Sequence, residues 1–97
     1  MASDAKAALA TIRQCVEEHR IVLLPHFRQR LAERYLLWVD ILSILEAPDD
    51  VRDEGVDDYG RSKWIVAGEG ADGLPVESVC VFDVEDSEEI TVFFTIY

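Results

Sequence analysis

Hydrophobic residues follow two different periods along the chain, and the change between them separates helices from strands. Up to Pro48, apolar residues recur every three or four positions, which is the spacing of one helix face. Beyond Pro48 they alternate with polar residues, which is the spacing of a half-buried strand. Helices followed by consecutive strands indicate an α+β domain, with N-terminal helices packed on a three- to four-stranded antiparallel sheet.

The helical part of the chain predicts three segments. The first spans about residues 4–19, and the second begins at Pro25, whose missing N–H costs nothing in a first helical turn. The second helix carries an apolar stripe at every fourth position, formed by Phe27, Leu31 and Tyr35. Residues 39–45 form a third segment, and no strong breaker separates it from the second. The two are therefore either separate helices or one bent helix.

The strand part predicts three strands and a fourth at the edge. "SKWIVAGE" and "VESVCVFDVE" are separated by the turn-rich "GEGADGLP", and "DSEE" forms a hairpin turn before "EITVFFTIY". The acidic "VRDEGVDDYG" adds the edge strand, and the short "IVLL" is a further candidate. In the last strand, strict alternation predicts one face with Ile90, Val92, Phe94 and Ile96, and another with Thr91, Phe93, Thr95 and Tyr97.

The length and the cysteine pattern limit the class of protein. We expect a single domain over residues 1–97. No apolar run reaches the roughly 20 residues that span a bilayer, and the N-terminal apolar stretch is too interrupted for a signal peptide, so we expect a soluble cytoplasmic protein with no membrane partner. Cys15 and Cys80 form no metal-ligand spacing, which predicts buried free thiols and neither a metal nor a cofactor.

The formal net charge of −11 is unevenly placed. Residues 1–45 hold six Lys and Arg against five acids, whereas residues 46–97 hold three against fifteen. An acidic half of this size repels nucleic acid at long range, so an RNA site has to be local. Few lysines and many acids are also typical of a salt-tolerant or GC-rich source, which would explain the acidity without any partner.

Three basic residues lie four positions apart on the second predicted helix and therefore share a face: His26, Arg30 and Arg34. Guanidiniums offer paired donors to a phosphate, and a histidine transfers protons near neutral pH. This set is the minimum for metal-free RNA cleavage, in which a 2′-hydroxyl attacks the adjacent phosphate while His26 moves the proton. The alternative is a solvated, ion-paired face, the commoner meaning of such short patterns.

"HFRQRLAER", the helix ending "ILEAP", "GRSKWIVAGEGADGLPVESVCVFDVED" and "ITVFFTIY" together resemble the bacterial domain-of-unknown-function 4258 family. The resemblance covers about residues 22–97 and leaves residues 1–21 as an N-terminal helical extension. The family's His-x-x-x-Arg-x-x-x-Arg helix is matched by His26, Arg30 and Arg34. Members are grouped with RelE-like ribonuclease toxins, which implies an RNA substrate, an antitoxin partner, and Tyr97 or Thr95 close to the basic helix.

The chain departs from that family's pattern in two places. "YLLWVD" replaces the usual glycine and the Ser or Thr between the two helices, and the chain is acidic where RelE-like toxins are basic. Two hypotheses therefore stand. One is a toxin-like, metal-independent RNA-cleaving or RNA-binding protein of a toxin–antitoxin system, with His26, Arg30, Arg34 and Tyr97 as its catalytic residues. The other is a non-enzymatic protein–protein interaction module with an ion-paired basic helix.

The last strand also predicts self-association. Bulky side chains lie on both of its faces, whereas three short helices cover only one face of a sheet. Exposed apolar surface usually marks an interface, so we expect a homodimer through the C-terminal strand or the sheet face. The alternative is a monomer in which the first helix covers the second face.

Overall fold

The computed structural model describes residues 3–97, which form three helices and five strands. The helices are α1 (Ser3–Glu17), α2 (Pro25–Glu33) and α3 (Trp38–Glu46). The strands are β1 (Ile21–Leu23), β2 (Asp50–Val56), β3 (Ser62–Glu69), β4 (Pro75–Glu85) and β5 (Glu88–Ile96). The predicted α+β class is confirmed. Every helix within residues 3–97 is too short or too polar to cross a membrane.

The five strands form one sheet in the order β1-β5-β4-β3-β2. Strands β2 to β5 are the predicted antiparallel meander with an acidic edge strand, but β1 runs parallel to β5. The sheet is therefore five-stranded and mixed, not three- to four-stranded and antiparallel. The difference has a tertiary cause, because the partner of β1 lies at the far end of the chain and hydrophobic periodicity carries no information about pairing direction.

The junction between α2 and α3 is a sharp turn, so the bent-helix alternative is wrong. The Leu36 N–H donates to the Leu31 carbonyl at 2.9 Å and the Tyr35 N–H donates to the Ala32 carbonyl at 3.1 Å. This pair of bonds is a Schellman motif, which places Tyr35 in the left-handed region with φ of 54°. Asp40 then starts α3 by accepting a 2.7 Å hydrogen bond from the Leu37 N–H.

The core lies between the three helices and one face of the sheet. Phe27 and Leu31 of α2 are buried there as predicted. Phe27 contacts Phe93 with ring centroids 5.5 Å apart, and Trp38 contacts Phe93 edge-on at 5.0 Å. Trp64 is also buried in this cluster, so both tryptophans pack inside the protein. Tyr35 does not continue the stripe, because the turn carries it out of the helix.

A bulge interrupts β5 and overturns the predicted alternation. Phe93 pairs with Cys80 and Thr95 pairs with Val79, so Phe94 has no partner on β4. The extra residue moves Ile96 to the same face as Phe93, where both side chains are fully buried. Strict alternation placed them on opposite faces, which is wrong beyond Phe94.

Buried residues of all three helices, α1 included, belong to the core cluster on the first face of the sheet. The central apolar residues of the second face are nevertheless buried. Ile65, Val79 and Val81 lie on this face and are buried. An ion pair from Arg52 on β2 to Glu77 on β4 crosses β3 above them. β5 is itself internal, paired with β1 and β4. A homodimer through the C-terminal strand or the sheet face stays a prediction. At this strand, Phe94 is 42% exposed and Tyr97 is 58% exposed.

Candidate functional site

An open pocket of about 540 Å³ lies at the end of the sheet where β3 and β5 finish and β4 begins. Arg30 and Arg34 from α2 line it together with Tyr97, which follows β5. Three of the four residues predicted as a catalytic set therefore meet in one place. We call this region the sheet-end pocket.

His26 is the predicted site residue that the sheet-end pocket does not include. It lies at the start of α2 and is exposed, two turns away from Arg34 along the helix. His26 shares one helix face with Arg30 and Arg34. The first residue of that face lies in solvent, however, and the last lies at the end of the sheet. Its role as the proton-transfer group stays a prediction.

The two pocket arginines bind main-chain carbonyls of the sheet. Arg34 donates from one terminal nitrogen to the Tyr97 carbonyl at 2.7 Å and from the other to the Pro75 carbonyl at 2.8 Å. Arg30 donates from Nε to the Ile96 carbonyl at 3.0 Å and forms an ion pair with Glu33 at 3.1 Å. Both guanidiniums thus fasten α2 to the ends of β4 and β5.

Carboxylates also line the sheet-end pocket, which the sequence did not indicate. Asp49, Glu69 and Glu77 lie there beside the two arginines, so the acids outnumber the bases. They come from the start or end of three different strands, so no spacing pattern in the chain connects them. Like charges oppose an incoming phosphate, and the pocket therefore offers a weaker anion site than the helix alone suggested.

Other chemical groups give no second candidate site. Cys15 and Cys80 are free and buried, as predicted. Burial raises the pKa of the Cys80 thiol well above its ordinary range, so this thiol stays protonated at neutral pH and is a poor nucleophile. Within residues 3–97, no group of three or more His, Cys, Asp and Glu side chains has an arrangement that could hold a metal ion.

The family model for "Domain of unknown function (DUF4258)" matches residues 23–97. The chain belongs to this family. The match includes α2, α3 and β2 to β5, and it leaves α1 outside. No curated protein and no solved structure gives a significant match to the chain. The description of the family names no activity.

The segment of residues 35–39 follows α2 and includes the first two residues of α3, and we call it the α2–α3 loop. It is the feature of this DUF4258 domain that the sequence pattern did not show. Tyr35 is 95% exposed, Leu37 68% and Val39 57%, so three large apolar side chains lie in solvent within five residues. The Schellman position of Tyr35 is usually occupied by glycine, since a side chain there costs about 1 kcal/mol or more. The stretch "RYLLWVD" has no Gly or Asn to end the helix, so a turn there has to be made largely of apolar residues. This feature of the sequence could have indicated the exposed loop.

A second exposed tyrosine shows what is unusual about Tyr35. Tyr59 is 84% exposed, but the Arg61 guanidinium lies 5.2 Å from its ring centroid, so its aromatic face has a partner in the chain. No such contact involves Tyr35 within residues 3–97. Neither backbone preference nor packing within the described chain accounts for a tyrosine at position 35.

Proposed function

We propose that this protein is a non-enzymatic module that binds another protein through the α2–α3 loop. The observation that carries the proposal is the exposure of Tyr35, Leu37 and Val39 in consecutive alternate positions. Apolar groups clustered in solvent favour an interaction surface, and tyrosine is enriched among the residues that dominate binding energy. The hydrogen bonds of Arg30 and Arg34 support the proposal, because they give the basic helix a structural role.

Site-specific cross-linking in the cells that make the protein tests this proposal. We expect p-benzoylphenylalanine in place of Tyr35 to give one discrete cross-linked protein upon irradiation. The same replacement at Tyr59 is the matched control, because that tyrosine is also highly exposed but lies in the turn between β2 and β3. Purified partner should then bind Leu37→Ser more weakly than the unaltered protein. Identical adducts from positions 35 and 59, or no adduct from position 35, would contradict the proposed function.

A second candidate is the toxin-like function, metal-independent RNA cleavage or RNA binding within a toxin–antitoxin pair. One specific observation favours it: Arg30, Arg34 and Tyr97 line one pocket although they come from opposite parts of the chain. In this function the arginines would hold the phosphate and His26 would transfer the proton. The antitoxin would then be the protein partner. Both candidates therefore include protein binding, but only the second includes catalysis.

Growth and RNA cleavage distinguish this second candidate. If it is correct, inducing the protein in a bacterium slows growth, and His26→Ala relieves the effect without changing stability, since His26 is exposed. Arg28→Ala is the control on the same helix, because Arg28 is exposed and lies outside the pocket. Toxicity that persists in His26→Ala removes this histidine from the mechanism. A protein that neither slows growth nor cleaves RNA leaves only the binding function.

A further inference from the structure

An open apolar groove of about 390 Å³ lies between α1 and α3. Val16 and Leu42 are half-buried on its floor, while Leu45 beneath them belongs to the core. Val39 also lines the groove and is one of the three exposed residues of the α2–α3 loop. Val39 is therefore the residue through which the α2–α3 loop adjoins the groove.

The walls of this groove are held in place by α1. The Arg13 guanidinium donates to the Leu45 carbonyl at 2.8 Å and to the Glu46 carbonyl at 2.6 Å, which ties α1 to the last turn of α3. These bonds satisfy carbonyls that the end of a helix leaves open. A groove fixed in advance does not have to be ordered by its ligand, which lowers the cost of binding.

The rim of the groove is acidic. Glu17 of α1 and Glu46 of α3 line it, and neither carboxylate forms an ion pair with any of residues 3–97. Arg13 is the one base among the lining residues, and its guanidinium is directed to the carbonyls at the end of α3. An apolar floor between two unpaired carboxylates complements a ligand that is apolar along its middle and basic along its sides.

We propose that this groove binds an amphipathic helix of a partner protein, with an apolar row against Val16, Val39 and Leu42 and lysines or arginines facing Glu17 and Glu46. The inference rests on the proposed function, because it names the class of partner for the same surface. Helix partners are held by apolar residues at i, i+4 and i+7, a row of about 10 Å, and α3 is about 13 Å long. A row of this length can lie along α3. RNA has no apolar row and is repelled by the rim.

A synthetic peptide tests the groove directly. The probe is a fluorescein-labelled helix of about 18 residues with leucines at i, i+4 and i+7 and lysines on both sides of that row. Its control has the same composition with the leucines distributed around the helix. Fluorescence anisotropy should show binding of the first peptide below about 0.1 mM and at least tenfold weaker binding of the second.

Variants of the protein locate the binding. Val39→Asp should weaken the peptide at least tenfold, whereas Val56→Asp, at an equally exposed valine on β2, should leave binding unchanged. The double variant Glu17→Lys and Glu46→Lys should weaken it severalfold and reduce its salt dependence, with the double variant Glu85→Lys and Glu88→Lys, outside the groove, as the charge-matched control. Thermal unfolding checks that each variant is folded, and all of these side chains are exposed.

Three results would overturn the groove as a helix site. One is equal affinity for the two peptides, or for Val39→Asp and the unaltered protein. Another is no binding at all. The third is a dimer in sedimentation that Val39→Asp dissociates, because a second copy would then fill the groove. If the groove fails while cross-linking from position 35 persists, the protein-binding function stands and only the assignment of its partner helix falls.

Discussion

The sheet-end pocket and the α2–α3 loop both extend from α2, yet their side chains are used in opposite ways. In the pocket, Arg30 and Arg34 have charged groups suited to a ligand, but those groups bind the chain's own carbonyls. In the loop, Tyr35 and Leu37 have the apolar side chains of a core, but they lie in solvent. Charged residues can therefore stabilise the fold while apolar residues lie in solvent, and residue type alone does not predict which of these a side chain does.

The largest stability effect is expected at the sheet-end pocket. The double variant Arg30→Ala and Arg34→Ala removes three hydrogen bonds from guanidiniums to strand carbonyls. With about 0.5–1.5 kcal/mol for each such bond, we expect the free energy of unfolding to fall by about 2 kcal/mol in urea denaturation. Arg28→Ala should change it by less than about 0.5 kcal/mol, since Arg28 has no side-chain bond within residues 3–97. Equal stability of the two variants would show that the pocket arginines are free to serve a ligand.

A smaller effect of opposite sign is expected in the α2–α3 loop. Tyr35→Gly relieves the left-handed conformation at φ of 54° and removes no buried contact, so the free energy of unfolding should rise by about 0.5–1 kcal/mol. For a chain of this size, 1 kcal/mol raises Tm by about 4–8 °C, which calorimetry resolves. Tyr35→Ala keeps the backbone strain and should leave Tm unchanged. A loss of stability in both variants would mean that the ring packs within the protein and is not held for a partner.

The smallest effect concerns the ion pairs of Arg61 and is seen in the dependence of stability on pH. Burial raises the pKa of Asp57, but hydrogen bonds from the Arg61 and Tyr59 N–H groups and from the Arg61 guanidinium outweigh it, so this pKa lies below its ordinary value. The Val84 N–H and then the Arg61 guanidinium lower the pKa of Asp83. A carboxyl with a lowered pKa contributes stability above its unfolded pKa, near pH 3.9, and loses it as pH falls through the folded value.

Arg61→Met should therefore reduce the loss of stability between about pH 4 and pH 2, as measured by urea denaturation at each pH. Lys63→Met is the control, because Lys63 forms no ion pair within residues 3–97. Identical pH profiles for Arg61→Met and the unaltered protein would show that these exposed pairs contribute nothing measurable, as is common for surface ion pairs. In that case, Arg30 and Arg34 would be the charged residues for which a role in stabilising the fold had been tested and found.

The sequence by itself determined the elements whose cause is local. Helical spacing predicted α1 and the buried Phe27 and Leu31, and alternation predicted β3 and β4. The two-residue turn at Asp86 and Ser87, where both residues have positive φ, follows from the polar break between two apolar runs. The basic spacing on α2 also placed Arg30 and Arg34 on one face, because helix geometry depends only on the distance along the chain.

Tertiary structure alone decided what those residues do. The bulge at Phe94 reversed the faces of Ile96, and parallel pairing with β1 placed β5 inside the sheet. The carbonyls that occupy Arg34 belong to Pro75 and Tyr97, which come near α2 only after the sheet has formed. Periodicity reports which side chains share a face, but it does not report which main-chain groups or solvent they meet. For Arg30, Arg34 and Ile96 that choice depends on contacts with residues far apart in the chain. Tyr35 differs, because the local turn that ends α2 separates it from the buried Leu31.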